Sequence, residues 1–232
     1  MNFDKTAIEQ IFGISVENCE NFRRALTHSS YTKENEMHFI ECYERLEFLG
    51  DAVLKLTISD CLFNKYPDYT EGELSKIRSI VVSDAVLAEI AKKNGLSDLI
   101  IMSKHEEKQG CRNLESVCAC AFEAVLGAYY LDGKFDELLN YIKSEFEFYI
   151  EEINKNASKY NAKAVLQEYT QGLTKETPVY RVVAEIGPAH KKEFEVEVSY
   201  QENVIARATG KSKKEAEQKC AYEACKKLGV IK

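Results

Sequence analysis

Three acids recur at helical spacing in the stretch C-Y-E-R-L-E-F-L-G-D-A-V-L, residues 42–54. At about 100° per residue, Glu44, Glu47 and Asp51 share one narrow stripe, while Leu46, Leu49 and Val53 lie on the other side. Carboxylates so placed repel one another unless a cation sits among them. The stripe therefore asks for a basic partner or a hard divalent metal. A solvated helix face is the plain alternative, and Gly50 weighs against it. A glycine in mid-helix costs about 1 kcal/mol relative to alanine unless something must approach closely. A second acid-bearing segment follows at residues 113–130, where Cys120 and Glu123, three apart, share a face with another small residue, Gly127.

These segments need a scaffold, and the first 154 residues read as helices throughout. Residues 6–12 and 20–28 are short amphipathic segments, the first closed by Gly13. The acid-bearing helix covers about 43–64 and is stopped by Pro67. Thr70 with Glu73 is a capping-box pattern opening a helix through residue 82; Asp84 caps the next, which Asn94-Gly95 ends. Residues 104–112 read as charged loop. The helix of residues 113–130 is apolar enough to be central, and 138–153 is a last amphipathic helix. Residues 155–161 form a polar linker.

Beyond the linker the period changes. Residues 162–171 are helical, residues 179–186 are rich in β-branched side chains, and Phe194, Val196, Val198 and Tyr200 alternate with polar neighbours. A turn at 201–203 leads into a strand over 204–209, and Ser212 opens a helix to residue 228. The expected fold is an all-α domain over 1–154 followed by a small α+β domain of order α-β-β-β-α over 162–229.

Composition agrees with two domains that have different tasks. The net charge of −7 is unevenly spread: residues 161–232 hold 13 Lys+Arg against 10 Asp+Glu, +3, which leaves −10 for residues 1–160. An acidic half suits cations and a basic half suits polyanions. Eight scattered cysteines without a Cys-x-x-Cys pair read as reduced thiols. With no apolar run near the ~20 residues of a membrane span and no signal-peptide core, a cytoplasmic protein is expected.

Glu44-Arg45-Leu46-Glu47-Phe48-Leu49-Gly50-Asp51 resembles the signature helix of the ribonuclease III family without a mismatch. Residues 115–124, E-S-V-C-A-C-A-F-E-A, resemble the family's second motif, with Glu123 matching a metal ligand and Cys120 standing where the family has Asp. The resemblance implies metal ligation by Glu47, Asp51 and Glu123, with Asp51 and Glu123 catalytic. Glu44 and Glu71 match acids near the cleavage site, although Glu71 also reads as a first-turn helix acid. Acids on two packed helices can hold magnesium for phosphodiester hydrolysis without a side-chain nucleophile. A thiol at position 120 removes a hard oxygen, so magnesium should bind more weakly and manganese be better tolerated; Cys120 also reads as a small packing residue.

Residues 161–229 resemble a double-stranded RNA-binding domain. Lys211, Ser212, Lys213 and Lys214 open its last helix, where free amides and the helix dipole favour phosphates. Gln167 and Glu168 match a second contact region, and Pro188, Ala189 and His190 a third. The whole chain thus resembles an endonuclease of double-stranded RNA in ribosomal and messenger RNA processing. The resemblance implies a homodimer with Phe48 at its interface, magnesium as cofactor, and no small-molecule cofactor. A catalytically weakened RNA-binding dimer is the rival, and Cys120 is its support.

Overall fold

Capping side chains and glycine turns delimit most of the helices in the computed structural model, which describes residues 3–156, 162–187 and 192–231. Two compact units result, Met1–Glu152 and Ile153–Lys232. In the first, α1 (Lys5–Phe12) begins where the Asp4 carboxylate accepts from the Ala7 amide and ends at Gly13 with φ of 67°. There follow α2 (Cys19–Ala25), α3 (Ser29–Glu34), α4 (Glu44–Lys65), α5 (Glu71–Val81), α6 (Asp84–Lys93), α7 (Lys104–Lys108), α8 (Glu115–Leu131) and α9 (Phe135–Lys155). The Thr70–Glu73 capping box is present at the start of α5.

Helix α8, apolar apart from Glu115, Ser116 and Glu123, lies at the centre. Ala121, Phe122, Ala124, Val125 and Leu126 are all buried, with Phe12, Phe22 and Tyr129 stacking edge and face around it. Its most extensive partner is α4. The two backbones touch at paired glycines: a Cβ on Gly50 would lie 1.7 Å from the Glu123 carbonyl oxygen, and one on Gly127 would lie 2.3 Å from that of Leu46. No side chain fits there.

Three sequence expectations are corrected. Residues 20–28 are not one helix: α2 stops at Ala25 because Ile101 pairs with Thr27 in a parallel bridge, its amide donating to Leu26 O at 2.7 Å. The chain then restarts, with the His28 ring accepting from the Ser30 amide at α3. Residues 104–112 are not loop. Ser103 caps α7, and the Arg112 guanidinium fastens the turn after that helix by donating to the carbonyls of Ser97, Asp98 and Ile100. Asp84 is not a cap either; Ser83 holds that position and Asp84 is the first helical residue.

The second unit runs α10 (Ala162–Thr174), β1 (Val179–Ile186), β2 (Glu193–Tyr200), β3 (Asn203–Gly210) and α11 (Lys213–Lys227). The sheet is antiparallel in the order β1-β2-β3. Val196 and Val198 alternate into a core shared with Leu166, Ala216, Cys220 and Ala224. The β2–β3 hairpin closes through Gln201 and Glu202, both at positive φ. Helix α9 continues through Lys155, and the rest of the expected linker, residues 157–161, lies outside the described residues, as do Pro188, Ala189 and His190.

The glycine contact gives a test. Gly50→Ala should cost about 3 kcal/mol or more in urea denaturation, because backbone on the facing helix cannot yield as a side chain would. Gly72→Ala, where nothing stands within 4 Å of the new carbon, should be neutral or gain up to about 1 kcal/mol.

Candidate active site

The α4–α8 crossing decides where the acids go. Gly50 sits against the backbone of Glu123, so the flanking Glu47 and Asp51 of α4 and Glu123 of α8 reach the same side of the crossing. They line one cleft of about 550 Å³, roomy enough for hydrated cations. Glu44 enters it from the first turn of α4, and Asp84 from the first turn of α6. Ser79 and Val82 form the wall beside α5, and Phe48 stands at the edge.

Like charge governs this cleft. Burial, then the charges of Asp51, Glu47 and Asp84, push the Glu123 carboxyl up to about 8. Burial raises Glu47 as well, although the Cys120 thiol opposes that rise by hydrogen bonding to it. Burial and the neighbouring Glu47 push the Cys120 thiol up to about 12, so it is a neutral donor at physiological pH. Lys55, one turn after Asp51, donates from Nζ to Asp51 Oδ2 at 2.7 Å. Among the described residues no three His, Cys, Asp or Glu side chains are gathered closely enough to hold a metal ion.

Chemically, the donor set fits a hard divalent ion: carboxylate oxygens from two rigid helices, in an environment that raises their proton affinity and that a cation would relieve. The Cys120 thiol does not add a hard oxygen to it.

The family description Ribonuclease-III-like matches residues 18–150, more than half of the chain. The chain belongs to the ribonuclease III family. A second description, Double-stranded RNA binding motif, matches residues 162–228. Ribonuclease 3 of Fusobacterium nucleatum is 40% identical over 211 residues, covering 90% of this chain and 88% of that protein. Ribonuclease 3 of Staphylococcus aureus strain JH9 is 39% identical over 220 residues, 95% of this chain and 90% of that one. Among solved structures, the ribonuclease III nuclease domain of Campylobacter jejuni superposes with a TM-score of 0.57 at 35% identity. The match spans 62% of this chain and 96% of that domain, whose description concerns flexibility in a region involved in dimer formation.

Of the residues singled out in the sequence, Glu44, Glu47, Asp51 and Glu123 line the cleft and Cys120 interacts with two of them. Glu71 does not line it; it accepts from the Ser75 hydroxyl at 2.7 Å in the first turn of α5. Two charged lining residues, Lys55 and Asp84, went unnoticed as site residues. Lys55 had a signal, its spacing of four from Asp51. Asp84 had none, because only the packing of α6 on α8 brings it in.

The raised Glu123 carboxyl makes metal-free stability depend on pH. Its folded value lies above the ordinary 4.5, so the group supports folding fully below pH 4.5 and loses that contribution as pH rises toward about 8. Glu123→Gln in chelator should therefore match wild type near about pH 5. By about pH 8.5 it should exceed wild type by on the order of 1–2 kcal/mol in urea melts, a range discounted for solvent screening.

Proposed function

We propose that Glu47, Asp51 and Glu123 hold the divalent metal with which this ribonuclease III, an endonuclease of double-stranded RNA, hydrolyses phosphodiester bonds on both strands. The observation that carries the reading is the single cleft these acids share across the α4–α8 crossing. Magnesium is the natural occupant of an all-carboxylate set, with manganese tolerated better because position 120 offers a thiol. The bound ion supplies Lewis-acid polarisation of the phosphodiester and a more acidic water. Asp51 and Glu123 would be the catalytic carboxylates of the set. Glu44, at the cleft's entrance, orients rather than ligates, and Cys120 steadies Glu47 as a neutral donor. Glu71, outside the cleft, serves the approach of substrate.

The second unit supplies duplex binding. Ser212 caps α11 by accepting from the Glu215 amide, and Lys211, Lys213 and Lys214 are exposed around that helix start. Backbone donors and ammonium groups together favour phosphates there. Gln167 and Glu168 lie exposed on α10 as a second contact, with Pro188, Ala189 and His190 as the third. Binding of this kind reads A-form shape rather than sequence. Ribosomal and messenger RNA precursors with long stems suit it as substrates, and work on them suits a cytoplasmic enzyme.

A homodimer completes the proposal. Phe48 is 81% exposed, and Leu56 and Phe63 on the same helix are also open to solvent. Apolar side chains left uncovered along α4 support contact with a second copy. With two copies, each cleft would cut one strand.

Cleavage of a long RNA duplex over graded magnesium and manganese tests the site. Wild type should cut in both metals. Cys120→Asp should lower the magnesium requirement about tenfold, and Glu123→Gln should lose on the order of a thousandfold in rate while still binding duplex. Duplex binding by wild type without cleavage in either metal would overturn the enzyme and leave an RNA-binding dimer.

Replacing Lys213 and Lys214 by alanine should weaken binding to all duplex sequences alike. The slope of log K against log salt should fall by about 2 if each lysine meets one phosphate. Filter binding from about 50 to 200 mM salt reads it.

A further inference from the structure

Lys55 has no part in the assignments made so far, yet it is the only basic residue among those described that line the cleft. Its Nζ lies 2.7 Å from Asp51 Oδ2, with side chains 52% and 35% exposed. An Asp–Lys pair four apart on a helix is common and weak. Here the setting is different. The partner carboxylate is one of five in the cleft, and the oxygen that Lys55 holds belongs to a proposed metal ligand.

We propose that Lys55 is a tethered counter-ion of the metal site: it neutralises Asp51 in the metal-free protein and opposes the binding of a divalent ion until it swings aside. The inference rests on the proposed metal site and adds to it a residue that sets the affinity. Three points carry it. Lys55 Nζ at 2.7 Å already neutralises Asp51, so a divalent ion arriving at that carboxylate meets less negative charge and the repulsion of a second cation. The competitor is covalently attached one turn away, so its effective concentration is high and does not fall on dilution. The stem is half exposed, so the displaced ammonium can swing into water and need not remain beside the incoming charge.

Lys55 therefore acts as a positioning residue, and its readout is metal affinity rather than rate. The test uses the full chain, stripped of metal, as wild type, Lys55→Met and Lys55→Arg. Manganese binding is followed by electron paramagnetic resonance, and magnesium binding by the rise in melting temperature. Lys55→Met keeps the stem and removes the charge. It should bind both ions about fivefold tighter, the upper end of what a partly exposed ion pair is worth. It should also melt lower than wild type without metal, so the gain on adding magnesium is larger. Lys55→Arg should stay near wild type.

Equal or weaker metal binding by Lys55→Met, with wild-type binding intact and abolished by Glu123→Gln, would overturn this inference alone. Absence of saturable binding in wild type, or binding that survives Glu123→Gln, would overturn the metal-site reading and this one with it.

Discussion

Gly50 and Gly127 let the backbones of α4 and α8 touch, and the positions of Glu47, Asp51 and Glu123 follow from that contact. At ordinary separation, with side chains between the helices, Glu47 and Asp51 would stand a residue's width further from Glu123. The glycines cost helix stability, about 1 kcal/mol each against alanine. Burial of α8 offsets that cost, since a mostly apolar helix enclosed by its neighbours removes far more surface from water than two glycines lose in propensity. The core thus stabilises the crossing, and the crossing sets the chemistry.

Electrostatics in the cleft runs against stability. Glu123 carries a carboxyl pushed up to about 8 by burial and by its acidic neighbours, so the folded chain resists holding it charged. Helices packed this rigidly cannot spread to relieve the repulsion, so the relief has to come from charge: a proton, an ammonium or a metal ion. A frustrated cluster held by a well-packed frame is the usual signature of a site kept for function.

Much of the frame was legible because it depends on local chemistry. The Thr70–Glu73 box, Gly13 at the end of α1, Ser212 before α11 and the alternation of Val196 and Val198 each follow from a few neighbouring residues. What was missed depends on contacts distant in sequence. Ile101 ends α2 by pairing with Thr27, more than seventy residues earlier. Arg112 secures its segment through the carbonyls of Ser97, Asp98 and Ile100, which lie before α7, and five-residue α7 is too short to show a period. The acids of the site were visible because two helices carry them with small residues at matching positions. Asp84 was not, since its place in the cleft comes from the packing of α6.

Two features of this chain lower the negative charge of the cleft, and they do so by different routes. Cys120 presents a neutral thiol beside Glu47, and Lys55 brings a positive charge to Asp51. Each makes the metal-free fold less strained, and each weakens the attraction for a divalent ion by the same physical step. Glu47, Asp51 and Glu123 stand on the crossing itself, where the glycines fix the backbone. A chain released from metal-dependent work would have no reason to retain Glu47, Asp51 and Glu123 together, since any one of them replaced by a neutral residue would relieve the same repulsion.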